Sequence, residues 1–186
     1  MANLLAIAQL GHPVLRAQAE PVKNIRDVRI QSLIDDMLVT LKDFSGVGLA
    51  APQVYQPLRI CIIASYPNPR YPDAPYFEPT AMINPVITPV GKVTETDWEG
   101  CLSIPGIRAM VSRLSVCEVS FVSRDGIRQK RTLRGFIARI AQHETDHLNG
   151  LLFIDRVNNN RDLISEKEYL KLMENKPKRN ASSARS

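Results

Sequence analysis

Residues 133–148 read LRGFIARIAQHETDHL, and this stretch predicts a helix at the centre of the fold. The apolar residues around Phe136 and Ile140 recur at helical spacing and give the segment an apolar face. Gly150 follows at the position where a helix commonly ends in a left-handed conformation. A helix with this pattern is expected to bury its apolar face against other elements of the chain.

The second half of this helix carries the sequence HETDH at residues 143–147, which is the pattern HExxH. Residues four apart lie on the same face of a helix, so His143 and His147 can bind one metal ion together. Glu144 follows His143 directly and is in position to act as a general base toward water at such a site. The alternative is a pair of surface histidines. The apolar face argues against it, and so does the presence of two of the chain's three histidines in one motif.

A catalytic metal of this kind usually has three protein ligands, so a third must come from elsewhere. No histidine follows His147, and the acidic residues after it lie among polar residues. Upstream, residues 99–103 read EGCLS, and Cys101 follows a glycine at what is predicted to be the end of a strand. Cys61 and Cys117 lie within apolar strands and are predicted to be small buried residues instead. We therefore expect Cys101 to be the third ligand.

The remaining pattern predicts the α+β class, with antiparallel or mixed sheets packed around the HExxH helix. An N-terminal helix is expected from Ile30, with Asp27 as its N-cap and Gly46 after its end. A short C-terminal helix is expected to begin at Ser165, where Glu168 completes a capping box. Strands are predicted at residues 58–64, 82–88, 93–98, 116–122 and 127–132, with a loop at 65–79 and a hairpin turn at 125–126. Residues 1–174 are expected to form a single catalytic domain and residues 175–186 a disordered tail.

Charge and cysteine content narrow the class of protein. The formal net charge is +5, and residues 175–186 hold four basic residues and no acid, so the body of the chain is close to neutral. A DNA-binding domain would carry its basic residues on folded structure, so no DNA partner is expected. With three cysteines, no signal-peptide pattern and no membrane-length apolar run, we expect a cytoplasmic protein without structural disulfides or a membrane partner.

Three motifs together resemble one known family. GVGLAAPQ (46–53), EGCLS (99–103) and QHETDHL (142–148) are similar to the signature motifs of the peptide deformylases, in the same order and with the same spacing. The resemblance covers about residues 1–160. It implies an enzyme that hydrolyses the formyl group from N-terminal formylmethionine of new polypeptides and releases formate. It also implies one divalent metal ion, ferrous iron in the cell, for which zinc, nickel or cobalt can substitute.

The resemblance assigns a role to each residue of these motifs that carries the reaction. The implied metal ligands are Cys101, His143 and His147. Glu144 corresponds to the general base and acid of the reaction. The side-chain amide of Gln53 and the backbone N–H of Leu102 correspond to the two groups that stabilise negative charge on the formyl oxygen.

The resemblance also implies substrate contacts. Val47 and Ile140 correspond to positions that line the pocket for the methionine side chain. Gly48 corresponds to the strand that pairs with the substrate main chain, and glycines at 46 and 48 let another backbone approach closely. Without the following AAPQ sequence, these glycines would indicate only an ordinary turn. Arg108 corresponds to a residue at the edge of the cleft.

Two supporting contacts are expected around the ligands. A metal-bound histidine usually donates its second N–H to a carboxylate or carbonyl, and Glu99 is the implied acceptor. Asp146 is expected to pair with Arg113 and so attach the helix to the strand after EGCLS. The alternative for both acids is a solvated surface charge. Nascent formylmethionyl peptides are the expected partners, the basic tail is a candidate for transient ribosome contact, and the protein is expected to be a monomer.

Two other classes of function remain open at this point. A metalloprotease or another amidase can use HExxH, but such enzymes use neither the EGCLS cysteine nor GVGLAAPQ. A non-enzymatic protein with a degenerate site should have lost a ligand, Glu144 or Gln53, and all of these are present.

Overall fold

The computed structural model describes residues 2–68 and 71–175. The α-helices in these ranges are α1 (Val28–Asp43), α2 (Gly135–Leu148) and α3 (Glu166–Glu174). The strands are β1 (Gly48–Ala50), β2 (Ile60–Ser65), β3 (Phe77–Pro89), β4 (Thr94–Cys101), β5 (Ile104–Leu114), β6 (Val116–Val122), β7 (Arg128–Arg134) and β8 (Leu163–Ser165). Apart from Asn175, the tail predicted at 175–186 lies outside the described residues.

The strands form two antiparallel sheets, which confirms the predicted α+β class. One sheet has the order β1-β2-β3-β6-β7, and the other has the order β4-β5-β8. Helix α1 packs on one face of the five-stranded sheet, and α2 packs on its other face. Helix α2 also contacts β5 of the smaller sheet, so it lies between the two sheets.

The position of strand β2 between two cores explains why its sequence is apolar at every residue and does not alternate. Ile60 and Ile62 belong to the core formed with α1, whereas Cys61 and Ile63 belong to the core formed with α2. A strand that is covered on both faces needs apolar residues at every position. Each fully buried side chain of this size contributes about 1.5–3 kcal/mol through the removal of apolar area from water.

The ends of α2 are set by two glycines with positive φ. Gly135 has φ +53° at the change from β7 into the helix, and Gly150 has φ +73° just after the helix. Gly150 confirms the predicted helix end. The predicted start at Leu133 was two residues early, because Leu133 pairs with Cys117 as part of β7. Most of α2 is buried, including its polar second half.

The longest element that the sequence analysis did not predict is strand β5. Its sequence IPGIRAMVSRL interrupts the apolar alternation with Pro105, Gly106, Arg108 and Arg113. Both arginines are nonetheless buried, with exposed fractions of 2% and 5%. A charged residue is normally predicted to face solvent. These two arginines can be buried because acidic and aromatic side chains from other elements contact them.

The other boundaries differ by smaller amounts. Helix α1 begins after Asp27, whose side chain accepts a hydrogen bond from the Arg29 backbone N–H as predicted for an N-cap. The loop between β2 and β3 spans only residues 66–76, because β3 begins earlier than predicted. Cys61 and Cys117 are buried in the core, as expected. Within the described residues, no helix is long and apolar enough to cross a membrane.

Candidate metal centre

Three potential ligands meet where the end of β4 faces α2. His143 and His147 lie one turn apart on α2, and Cys101 is the last residue of β4. One ligand atom from each lies within 4.8 Å of those of the other two. The Cys101 Sγ atom is 3.3 Å from Nε2 of His147. One thiolate and two imidazoles form a set that suits a divalent ion such as zinc or ferrous iron.

The electrostatics of this group also suit a cation. Burial opposes ionisation of Cys101, but the nearby imidazoles of His147 and His143 hold the pKa of the thiol well below its ordinary value. Burial also opposes a charged His143, yet Cys101 and Glu99 hold the pKa of this imidazole well above its ordinary value. Without a metal ion, a proton on His143 therefore supplies positive charge beside the thiolate. A divalent cation fits this site because it can replace that proton.

Glu99 lies directly behind His143. Its Oε2 atom is 2.9 Å from Nδ1 of His143, which leaves Nε2 of the same ring available for a metal ion. Arg113 donates to both oxygens of Glu99, from Nε at 2.9 Å and from a terminal nitrogen at 3.0 Å. Burial raises the pKa of Glu99, but hydrogen bonds from His143 and Arg113 hold it well below its ordinary range. Glu99 is thus a buried carboxylate that orients a histidine.

Asp146 joins the same group of charges from the other side. Arg113 donates a short hydrogen bond to its Oδ2 atom, so the predicted pair is in contact. Arg156 also donates to Asp146, at 3.0 and 2.6 Å. Arg113 thereby links β5 to the helix that carries both histidines.

Glu144 lies on the cavity side of α2 with only 4% of its surface exposed. Its Oε2 atom has no hydrogen-bond partner among the described residues. Burial raises the pKa of Glu144 to about 7, against the lowering effect of His143 and His147. A buried carboxyl group with a free oxygen and a pKa near neutrality is suited to accept and return a proton.

Gln53 lies in a short 3-10 turn, Ala51–Val54, directly after β1. Its Oε1 atom accepts a hydrogen bond from the Ala50 backbone N–H at 2.9 Å, which fixes the amide. Its Nε2 atom lies 3.3 Å from Cys101 Sγ and 3.2 Å from Ser103 Oγ. The amide nitrogen therefore donates toward the candidate ligand Cys101 and toward Ser103.

A cavity opens onto these groups between the two sheets. Five residues expected to contact substrate or to stabilise charge on the formyl oxygen line it: Val47, Gly48, Gln53, Leu102 and Ile140. Three aromatic residues that were not predicted also line it, namely Tyr71, Trp98 and Phe136. Tyr71 packs against Phe136 with ring centroids 5.3 Å apart.

Arg108 lies behind the cavity wall. Its side chain passes so close to Gly100 that an added Cβ atom there would lie 2.8 Å from it. One terminal nitrogen donates to Glu166 at 2.7 Å, and the other donates to the Tyr71 hydroxyl at 3.3 Å. The guanidinium also lies over the ring of Tyr169, 4.9 Å from its centroid.

Arg139 is a buried site residue that was missed from the sequence. It contacts Glu99 and also lines the cavity. Its position in the sequence could have indicated it, because Arg139 lies four residues before His143 on the helix face predicted to be apolar. A charged residue on a buried helix face needs a partner of opposite charge.

Comparisons with known proteins agree on one family. The family model described as "Polypeptide deformylase" matches residues 4–162. The chain is 56% identical over 173 residues to "Peptide deformylase 2" of Nostoc sp., covering 92% of this chain and 96% of that protein. It is 47% identical to "Peptide deformylase 1" of Prochlorococcus marinus over 152 residues, covering 81% of this chain and 79% of that protein. Its fold matches the Met-Ala-Ser-bound class I type b peptide deformylase of Acinetobacter baumannii, with a TM-score of 0.82 and 41% identity, covering 84% of this chain and 100% of the other.

Proposed function

The chain belongs to the peptide deformylase family, and we propose that Cys101, His143 and His147 hold its metal ion while Glu144 moves the proton. It is an enzyme that removes the formyl group from N-terminal formylmethionine of newly synthesised polypeptides and releases formate. One observation carries the proposed site. Three ligand atoms lie within 4.8 Å of one another, and they are beside a buried carboxyl group.

The family is metal-dependent, and the donor set of this chain suggests which ion it uses. A bound divalent ion lowers the pKa of water and polarises a carbonyl oxygen. Thiolate is a softer donor than the carboxylate or third histidine of common zinc hydrolases, and soft donors are compatible with iron. Ferrous iron is therefore the proposed ion in the cell, with zinc, nickel or cobalt able to replace it.

Glu144 has the proposed role of general base and then general acid. It takes a proton from the water molecule whose oxygen attacks the formyl carbon. As the carbon–nitrogen bond breaks, Glu144 returns this proton to the amino group of methionine. Both transfers need a group that gains and loses a proton readily, and the pKa of about 7 for Glu144 meets this need.

Gln53 and Leu102 have the proposed role of stabilising negative charge on the formyl oxygen during the attack. The Gln53 amide is held by the Ala50 N–H, so it needs little reorganisation when the charge develops. The backbone N–H of Leu102, in the turn between β4 and β5, is its proposed partner. Removing one such donor costs about 3–4 kcal/mol of transition-state stabilisation.

Substrate is proposed to bind along β1 with its methionine side chain in the cavity. Strand β1 is at the edge of the five-stranded sheet, so a peptide can add to it as a further strand. Val47 and Ile140 offer an apolar wall that suits the unbranched thioether. The Acinetobacter baumannii relative was crystallised with Met-Ala-Ser, the peptide expected after deformylation, which supports a methionyl peptide as the class of ligand. Arg108 is proposed to support the rim of the cleft through Tyr71 and Gly100.

The substrate also suggests the cellular location of the enzyme and a proposed contact with the ribosome. Formylmethionyl chains are made during translation, so the proposed location is the cytoplasm. The protein is further proposed to be a monomer. Transient ribosome contact through residues 175–186 is a proposal from their charge alone, since residues 176–186 lie outside the described part. Deleting 176–186 should weaken cosedimentation with ribosomes at low salt, and unchanged cosedimentation would contradict this contact.

The central test is formate release from formyl-Met-Ala-Ser. The protein is prepared without oxygen and loaded with ferrous iron, nickel or cobalt. We expect turnover that a chelator abolishes and added metal restores. No turnover by protein with a full metal complement would contradict the assignment. Cys101→Ala should lose metal affinity, and normal metal binding by this variant would contradict the proposed ligand set.

A further inference from the structure

We propose that Arg139 is a positioning residue that fixes Glu99 and, through it, the ring of His143. The inference rests on the ligand set proposed above. Arg139 lies one turn before His143 on α2 and is only 7% exposed. It contacts neither a proposed ligand nor Glu144 through a hydrogen bond, so its effect must pass through Glu99.

The guanidinium of Arg139 is held in one orientation by backbone carbonyls. One terminal nitrogen donates to the Val111 carbonyl at 2.8 Å, and the other donates to the Glu95 carbonyl at 2.7 Å. These carbonyls belong to the paired strands β5 and β4. The nitrogen that bonds to Val111 also donates to Glu99 Oε1 at 2.8 Å. Arg139 is therefore fixed by two strands before it reaches the carboxylate.

The contacts of Glu99 show why a second arginine matters. Arg113 donates to both carboxylate oxygens and alone would leave one further acceptor position open on each. Arg139 occupies the open position on Oε1. The position that remains, on Oε2, is the one that faces Nδ1 of His143. Nδ1 of His143 therefore has a single acceptor, Oε2 of Glu99, in a fixed position. This contact fixes the tautomer of the ring and the direction of Nε2.

The charges lead to the same conclusion. Arg113 is shared between Glu99 and Asp146, and Asp146 has a second cation in Arg156. Arg139 gives Glu99 a cation that it does not share with another carboxylate. Without Arg139, Glu99 would be held by Arg113 alone, and its carboxylate would be free to move toward Arg113. This movement would draw the hydrogen-bonded ring of His143 away from its position.

A purely structural role for Arg139 is the competing explanation, since it also attaches α2 to the hairpin of β4 and β5. Arg59 is a matched control for this role. It donates to the carbonyls of Leu148 and Pro85, each at 3.2 Å, and so attaches the end of α2 to β3. Arg59 makes no hydrogen bond to Glu99 or to the ligands.

The test measures cobalt binding by the full-length chain, because the visible spectrum of bound Co²⁺ reports ligand geometry as well as occupancy. Arg139→Met should weaken Co²⁺ affinity by about 10-fold or more and change the spectrum. Arg139→Lys should recover part of both, since an ammonium group can still reach Glu99. Arg59→Met should lower thermal stability but keep the affinity and spectrum of the parent. Parent-like affinity and spectrum in Arg139→Met would overturn the proposal, as would an equal change in Arg59→Met.

A double variant tests the route through Glu99. Glu99→Gln should weaken Co²⁺ binding by about 10- to 100-fold, and adding Arg139→Met should weaken it no further. Independent, multiplying effects of the two changes would show that Arg139 does not act through Glu99. If the parent itself binds no stoichiometric Co²⁺, the proposed ligand set fails. If the parent binds Co²⁺ and Arg139→Met behaves like it, only the role of Arg139 fails.

Discussion

Gly48 and Glu144 are in such close contact that no side chain fits between them. A Cβ atom built on Gly48 would lie 2.1 Å from Oε1 of Glu144 and 2.6 Å from its carboxyl carbon. The sequence suggested that this glycine makes room for substrate. The structure adds a reason within the molecule, since the backbone of β1 forms one wall of the space that holds the carboxyl group.

Gly48→Ala should therefore displace the Glu144 carboxylate and lower kcat by about 100-fold or more, because proton transfer would be misaligned. Metal content should stay at the parent level. Gly46→Ala is the control within the same motif, since its added methyl would meet the flexible end of Leu41 at 2.6 Å. It should cost much less activity. Equal activity losses in the two variants would show that the contact with Glu144 is not what matters.

Glu144→Gln should keep the shape of the site and remove its proposed proton carrier. We expect a loss of about 10²- to 10⁴-fold in kcat for formyl-Met-Ala-Ser, with metal bound as in the parent. Formate release and metal analysis on the same sample provide the measurement. An active Glu144→Gln variant would require a different general base.

The same substitution should stabilise the metal-free protein in a pH-dependent way. The pKa of Glu144 is raised from 4.5 to about 7. The unfolded chain thus releases this proton first, and stability is lost as the pH rises between these values. At pH 8 the cost is about 3 kcal/mol, which Glu144→Gln should recover, whereas at pH 4 it should recover little. Denaturant unfolding of both metal-free proteins at the two pH values tests this, and equal gains would contradict it.

Peroxide should oxidise Cys101 in preference to the other two cysteines. The pKa of Cys101 is held low, whereas burial raises the pKa of Cys117 to about 11 and raises that of Cys61 further. Since the thiolate reacts with peroxide, metal-free protein should be oxidised at Cys101 first and should then fail to bind metal. Peptide mass spectrometry after limited peroxide treatment measures the site. Prior oxidation of Cys61 or Cys117 would disagree with these environments.

Helix α3 should contribute to the cleft through Glu166. Glu166→Gln removes the carboxylate partner of the buried Arg108 and should lower the free energy of unfolding by about 1.5–3 kcal/mol. It should also raise KM more than it lowers kcat, because Tyr71 loses a fixed neighbour in Arg108. Glu168→Gln on the same helix removes only an exposed pair with Lys171 and should cost less than about 0.5 kcal/mol. Steady-state kinetics and denaturant unfolding distinguish the two variants.

Local sequence patterns predicted those helices and strands in which apolar residues mark the buried positions. Helix α1 with its Asp27 cap, strand β2 and the central helix α2 follow from periodicity, caps and turn residues. Strand β5 could not be predicted in this way, because it places Arg108 and Arg113 in the interior. Their partners come from α3, β4 and α2, which are distant in sequence.

The sequence by itself determined the chemistry of this protein, because HExxH, EGCLS and GVGLAAPQ specify donors and acids by type and spacing. It did not determine how those groups are held. Only the tertiary structure decided that Arg139 joins Arg113 at Glu99 and that β1 packs against the Glu144 carboxyl group. The physical reason is that a buried charge is defined by its partners, and these partners are brought together only when both sheets pack on α2.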